Sequence, residues 1–503
     1  MKAVRTIRVR FGVMLVGALA LFALTGAAAP AAPAKAPTPA VQEEIPITTS
    51  SAEARELFVK ARQLAANNHN PEARKVLEQA IAKDPNFALA YVYQAMMETD
   101  TNKGLALVDN AAALADKTKV SDGERMWLKE VQLYWKGLHD LRVENFHSMV
   151  KAYPKDRWAL LNLGLLFIFT QEDQKAVEQL STLTQQAPDF APAYSGLGSA
   201  QKNLGNFADA EKSLKKYTEL LPKDAAAWDS YGWLLAKQSK FDESIAAFDK
   251  ALSLDPKYAP SLLGQGLDLV LKGKPADGRK LFAEAAELAQ DDWWRQTACY
   301  ALSISYLFEK KVDQAVVEQQ KAFALYEKKK DLTSASWIAM DLGHVLAQSA
   351  RAKEAQAQFS KALDLLGKSA GPEEAKASIK GWMAWDQALM ALKADDLKTA
   401  KLKADEFKAF AEKYGTPGRR QGVHQLAGMI ALKEKRWDDA VAELNQAPPR
   451  SCMAMVGLAE AYLAKGDKDK ARQQLTKAAN FNEIDLEFGL TRSVAKDKLA
   501  KLK

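Results

Sequence analysis

Four prolines, Pro154, Pro188, Pro222 and Pro256, follow one another at intervals of 34 residues. When the chain is aligned on these prolines, apolar and small residues recur at the same places in each interval. A repeat of this length is one supersecondary unit, which can bury its apolar face only against the neighbouring units. The interval therefore restricts the folded chain to an array in which each unit packs on the next.

The residues inside each interval predict two antiparallel helices. Large residues at positions 4, 7 and 11 form the apolar stripe of a first helix. Position 8 is Gly164, Gly198 and Gly232 in three successive units, where a small residue lets the two backbones approach. The proline at position 32 cannot continue a helix and ends the second one. We find no strand pattern, so the predicted fold is all-α.

Weaker copies of the pattern extend the array in both directions and bring the expected number of antiparallel helix pairs to about twelve. The predicted parts are an N-terminal repeat with a divergent helix pair (51–122), a core array (123–292), divergent helix pairs (293–410), C-terminal repeats (411–482) and a Lys-rich capping helix (483–503).

On these motifs the chain resembles the tetratricopeptide-repeat (TPR) family. The resemblance implies a right-handed α–α superhelix, in which positions 2, 5, 9, 12 and 13 of each first helix line a concave surface. The chain as a whole also looks like a set of exported bacterial TPR proteins of unassigned activity, which implies a compartment but no ligand.

The N-terminus has the composition of an export signal. Four basic residues precede an apolar run at 11–24, and small residues follow it. This order predicts a signal peptide over 1–28, cleaved after Ala28. The Pro/Ala-rich stretch 29–50 predicts a disordered tether. We therefore expect a periplasmic or secreted protein with no membrane span after cleavage. The alternative is an uncleaved signal anchor that holds the protein at the inner membrane.

The sequence contains no pattern typical of a catalytic, cofactor or metal site. None of the five histidines has a second histidine three or four residues away, the spacing that places two ligands on one helix face. The paired carboxylates lie at predicted helix starts, where they serve as caps. The net charge is +7, and +3 without the four basic residues of the signal, which gives no case for nucleic-acid binding. We predict a protein that is not an enzyme.

The concave positions of four units supply the candidate binding residues. The first two of these units are rich in aromatic and aliphatic side chains, and the next two become polar. The predicted residues are Trp127, Tyr134, Trp135, Trp158, Leu161, Leu165, Phe169, Lys202, Asn203, Asp229 and Trp233. One interpretation is a hydrophobic groove for an extended or helical peptide. The alternative is that the N-terminal segment covers these rings, or that tight superhelical closure buries them.

These observations predict an exported, non-catalytic scaffold that binds a protein or peptide on its concave surface. Two alternatives remain open, a periplasmic holdase or assembly factor for envelope proteins and an accessory subunit of an enzyme. The sequence indicates neither the partner nor the oligomeric state.

Overall fold

The computed structural model describes residues 43–98, 100–136, 138–369, 373–414, 416–482 and 486–502. The predicted signal peptide and most of the predicted tether lie outside these residues. The described residues form helices and contain no strand. In chain order the helices are α1 (Ala52–Ala66), α2 (Asn70–Lys83), α3 (Ala88–Met97), α4 (Thr101–Lys117), α5 (Asp122–Trp135), α6 (His139–Ala152), α7 (Arg157–Phe169), α8 (Asp173–Gln186), α9 (Ala191–Asn203), α10 (Phe207–Leu220), α11 (Ala225–Lys237), α12 (Phe241–Leu254), α13 (Ala259–Leu271), α14 (Pro275–Leu288), α15 (Asp292–Phe308), α16 (Val312–Lys328), α17 (Leu332–Gln348), α18 (Ala352–Gly367), α19 (Glu373–Lys393), α20 (Leu397–Tyr414), α21 (Pro417–Lys433), α22 (Trp437–Leu444), α23 (Cys452–Ala464), α24 (Lys468–Ala479) and α25 (Leu486–Lys501).

Each odd-numbered helix from α1 to α23 packs against the even-numbered helix that follows it, and each pair packs on the next. The small residue at position 8 makes this close packing possible. A Cβ added at Gly198 would lie 2.5 Å from Cγ of Leu214, and one at Gly232 would lie 2.6 Å from the ring of Phe248. The predicted helix-pair fold, a superhelical TPR array, is confirmed.

The recurring prolines end the second helices as the spacing predicts. The helices α6, α8, α10 and α12 each end two residues before Pro154, Pro188, Pro222 or Pro256. Since proline lacks a backbone N–H and its ring clashes with the preceding turn, the helix stops and the chain turns into the next unit. Among the described residues, no helix is both long and apolar enough to cross a membrane.

Side chains from units far apart in the chain meet, so the superhelix is tightly closed. The Arg62 guanidinium of α1 lies 4.4 Å from the ring centre of Trp158 in α7. His69 Nε2 lies 3.0 Å from Oδ1 of Asp224, which precedes α11. Beyond α24, the Asn482 side-chain amide donates to the Ser239 hydroxyl at 2.9 Å. Contacts between neighbouring units alone do not account for this closure.

Residues 43–50 are folded back onto the helices, which corrects the prediction of a disordered tether for this part of 29–50. The Ile45 side chain is buried against Gly123, and its N–H donates to Oδ2 of Asp156 at 3.1 Å. The N–H and hydroxyl of Thr48 donate to the two carboxylate oxygens of Glu124, both at 2.7 Å. We call residues 43–50 the N-terminal strap. It is ordered because three carboxylates at helix ends satisfy its donors, the third being Asp84, which accepts from Thr49 and Ser50.

Candidate functional site

Three of the predicted groove residues are buried, so the open hydrophobic groove predicted around them is not present. Trp127 is 1% exposed, with its ring edge-on to Phe146 at 5.6 Å. Leu161 and Trp158 are also buried, and Arg62 of α1 stacks on Trp158. The N-terminal strap lies across the start of α5 and α7 as well. Closure, the second mechanism of the alternative interpretation, therefore acts on Trp158 through Arg62, and the strap contacts the starts of the same helices.

The other predicted residues of α5 and α7 differ in the solvent exposure of their side chains. The Trp135 ring fills the space beside the Cα of Gly104 in α4 and is half-buried. Tyr134 is exposed beneath the guanidinium of Arg142. Leu165 is 40% exposed and Phe169 is 64% exposed. Tyr134 of α5 and the C-terminal half of α7 are thus the parts of the predicted surface that are exposed to solvent.

The predicted residues of the two polar units interact with other residues of the array. They are Lys202, Asn203, Asp229 and Trp233. The Asn203 amide donates to Asp173 at 2.8 Å. Asp229 is buried and accepts from the Ser261 hydroxyl at 2.9 Å. Burial raises the pKa of Asp229 to about 7, although Ser261 and the charge of Lys202 lower it in part. Trp233 packs edge-on against Phe248.

The concave surface surrounds a cavity of about 670 Å³ further along the chain. The C-terminal end of α7 forms one side of this cavity through Phe169. The remaining lining comes from the start of α6, the turn after α7, the helices α15, α17, α19, α21, α23 and α25, and the turns before α21 and α23. It includes the aromatic residues Tyr300, Trp382 and Trp385. Of the predicted site residues, the cavity is lined only by Phe169. We call this space the central cavity.

A polar network on α17 and α19 forms one wall of the central cavity. The His344 imidazole pairs with the buried Asp386 carboxylate, and the Gln348 amide donates to the same carboxylate at 3.2 Å. Burial lowers the pKa of His344, but Asp386 outweighs burial, so the pKa is raised overall. Burial also raises the pKa of Asp341, one turn before His344, to about 6. The pKa values of both groups on this wall are therefore raised above their ordinary values.

These cavity residues occupy the concave positions of their own units. A Cβ on Gly343 would overlap the ring of Phe359, which makes Gly343 the small residue at position 8 and places His344 at position 9. Gly381 packs on Phe410 in the same way, which gives Trp382 position 9. Sequence reasoning missed both because the position rule was applied only to N-terminal units. The small residue at position 8 is the signal that would have found them.

Helix α21 forms a second wall of the central cavity and has two glycines on that face. Gly418, Gly422 and Gln425 recur at helical spacing on one face and all line the central cavity. Gln425 is 2% exposed, and its Nε2 makes no hydrogen bond to any described residue. Arg450, which precedes α23 and also lines the cavity, makes no ion pair or hydrogen bond within the described part of the chain. A buried amide without a partner costs about 1–3 kcal/mol, and Nε2 of Gln425 is enclosed by protein rather than open to the cavity.

Within the described residues, no three His, Cys, Asp or Glu side chains are placed to hold a metal ion. The two cysteines of the chain, Cys299 and Cys452, form no disulfide, and the first is half-buried and the second buried.

Residues 195–259 and 454–485 each match a family model described as the tetratricopeptide repeat. These segments cover helix pairs of the kind described above, beginning within α9 and α23. The chain is therefore a tetratricopeptide-repeat protein, a class whose members generally act as protein-interaction modules.

Proteins of similar sequence include the BBSome complex member BBS4 of Xenopus tropicalis, 30% identical over 132 residues that cover 26% of this chain and 24% of the relative. Protein CTR9 homolog of Arabidopsis thaliana is 27% identical over 127 residues, which cover 25% of this chain and 12% of the relative. The matched segments thus span less than two thirds of each relative.

Solved structures with similarity to this chain include yeast Tom70, at 13% identity and a TM-score of 0.40, covering 89% of this chain and 95% of Tom70. A thermophilic TPR protein of Thermus thermophilus has 22% identity and a TM-score of 0.32, with coverage of 35% of this chain and 96% of that protein.

Proposed function

We propose that this protein is a non-catalytic scaffold that binds a short segment of a partner protein in the central cavity. The observation that carries the proposal is the cavity itself, about 670 Å³, lined by the concave positions of several repeats. Ligand-binding clefts commonly have volumes of about 300–1,000 Å³ with apolar walls and a few convergent polar groups. The central cavity has this combination.

Aromatic side chains supply the anchors that such a segment needs. Phe169 is 64% exposed at the edge of the cavity, and Trp382 and Trp385 line its interior 5.9 Å apart between ring centres. Buried aromatic side chains carry much of the binding energy in protein interfaces. We expect the partner segment to place apolar side chains against these three rings.

We also propose that the protein is exported, into the periplasm or out of the cell, with an uncleaved anchor at the inner membrane as the alternative. The basic, apolar and small-residue order of residues 1–28 supports this proposal. N-terminal sequencing of protein recovered from cell fractions tests it. A new N-terminus after Ala28 in the periplasmic or secreted fraction is the expected result, and an intact Met1 on cytoplasmic protein would contradict it.

Selection from a random dodecapeptide library displayed on phage tests peptide binding by the full chain. We expect selected peptides to lose at least about tenfold in affinity for Phe169→Asp, because a carboxylate there opposes burial of apolar side chains. The matched control is Leu402→Asp, which changes an exposed leucine of α20 that does not line the cavity. Equal binding by both variants would contradict the proposed site, with circular dichroism verifying that each is folded.

A further inference from the structure

One wall of the central cavity carries a carboxylate without a partner. Asp341 of α17 lines the cavity and is half-buried. It makes no hydrogen bond or ion pair with the described residues. Neither of its carboxylate oxygens is sealed in the packing between helices, in contrast to Nε2 of Gln425. The Asp341 carboxylate is therefore open to the cavity and available to a ligand.

The charges around Asp341 leave this carboxylate uncompensated. Burial raises its pKa to about 6, and His344, one turn later in α17, is the only charged side chain that lowers it. At neutral pH a carboxyl group with that pKa is mostly ionised. His344 itself pairs with the buried Asp386 carboxylate, so two carboxylates lie beside one imidazole. The wall formed by α17 and α19 therefore has an excess of negative charge.

The positively charged side chains near the cavity act on other groups. Lys393 at the end of α19 interacts with Asp386. Arg419 and Arg450 line the cavity from the start of α21 and from the turn before α23. None of these three side chains contributes to the pKa shift of Asp341. Within the described part of the chain, no lysine or arginine neutralises this carboxylate.

Aromatic rings lie on the same side of the cavity as this carboxylate. Tyr300, Trp382 and Trp385 line the cavity together with Asp341. The Trp382 ring lies 6.4 Å from the His344 imidazole between ring centres, and residues three apart in a helix, such as Asp341 and His344, are neighbours on its surface. The faces of aromatic rings attract ammonium and guanidinium groups, and the apolar stems of lysine and arginine pack on them. An unpaired carboxylate beside such rings therefore suits a basic side chain.

We infer that the α17–α19 wall of the central cavity binds a basic side chain of the partner segment, with its charged group on Asp341 and its stem against Trp382. This inference rests on the proposed function and specifies the chemistry of its ligand. The side chain is a lysine or an arginine, since both combine a long apolar stem with a positive charge. The N-terminal amine of a peptide has the charge without the stem.

The probes are peptides from the phage library that lose affinity for Phe169→Asp. Each is synthesised in its selected form and with each lysine changed to norleucine or each arginine changed to citrulline, which removes the charge but keeps the length of the side chain. A further form has an acetylated N-terminus. Calorimetry measures their affinities for the full chain, for Asp341→Asn and for Asp405→Asn. The last variant is the matched control, because Asp405 is an exposed aspartate of α20 outside the cavity.

We expect the basic form to bind the full chain at least about tenfold more tightly than its neutral form, because the neutral form leaves the Asp341 carboxylate unpaired. Asp341→Asn should remove most of that difference, and Asp405→Asn should preserve it. Circular dichroism verifies that both variants are folded. The comparison of basic and neutral peptides on the unaltered chain holds even if Asp341→Asn does not fold.

Equal affinity of the basic and neutral forms would overturn this inference and leave the proposed function in place. A charge preference that persists in Asp341→Asn, or one that is lost only on acetylation of the N-terminus, would overturn it as well. A library that yields no Phe169-dependent peptide would overturn both the inference and the proposed function.

Discussion

At the scale of single residues, the most informative groups are the carboxylates that hold the N-terminal strap. Asp156 caps α7 through the N–H groups of Trp158 and Ala159 and also accepts from Ile45. Glu124 forms a capping box with Ser121 and also accepts from Thr48. Each carboxylate satisfies donors of its own helix and of the strap, so the strap and the helix ends stabilise each other.

We predict that Thr48→Val lowers the free energy of unfolding by about 1–3 kcal/mol, because it removes a hydroxyl donor from one buried oxygen of Glu124. Urea denaturation followed by circular dichroism measures the change. Thr182→Val is the control, since the Thr182 hydroxyl bonds only within an exposed turn of α8, and we expect less than about 0.5 kcal/mol there. Equal effects would show that the strap contact adds nothing to stability.

At the scale of helices, the sequence predicted the structural features that depend on residues close together in the chain. The proline spacing predicted the ends of the second helices, and the small residue at position 8 predicted the packing within each pair. The strap could not be predicted in this way, since Ile45 meets a carboxylate 111 residues away. The central cavity depends on the angle between successive units, which is set by many side chains in each interface. A repeat motif does not specify that angle.

The last helix provides a test at the same scale. We expected residues 483–503 to cap the array, and α25 packs on α23 and α24 but also on α15, much earlier in the chain. Gly489 makes the α15 contact close, because a Cβ there would lie 3.1 Å from Cβ of Leu307. We predict that Gly489→Leu separates α25 from α15 and speeds proteolysis between α24 and α25. Val494→Leu, at an exposed position of α25, should be cut at the wild-type rate. Resistance of Gly489→Leu to proteolysis would mean that α25 is held by α23 and α24 alone.

At the scale of the whole molecule, packing between neighbouring helices buries several acidic groups. Burial raises the pKa of Asp268 and Glu130 to about 7, as it does for Asp229. Arg142, which donates to Glu130 at 2.7 Å, offsets only part of that burial. The ordinary pKa values of these groups, 3.8 for Asp and 4.5 for Glu, apply in the unfolded chain. The protein therefore carries buried carboxyl groups that are partly protonated at neutral pH.

These shifts make stability depend on pH. A carboxyl group with a higher pKa in the folded state binds more protons there than in the unfolded chain, so its contribution to stability grows as the pH falls from about 7 toward 5. His69 acts in the same direction, since its hydrogen bond to Asp224 raises its pKa and its contribution is lost as the pH rises through that value. His139 opposes them, because burial and two nearby arginines lower its pKa to about 4 and protonation then disfavours folding.

The groups whose pKa is raised outnumber the one group whose pKa is lowered, His139. We therefore expect the melting temperature to be about 2–4 °C higher near pH 5.5 than near pH 7.5 at constant ionic strength. Differential scanning calorimetry across this range measures it. Asp268→Asn removes one of the raised carboxyl groups and should reduce the pH dependence, whereas Asp438→Asn, at an exposed position of α22, should leave it unchanged. A melting temperature that falls steadily from pH 7.5 to pH 5.5 would show that the buried acids remain ionised in the folded protein. The burial of these carboxyl groups between neighbouring helices would then be wrong.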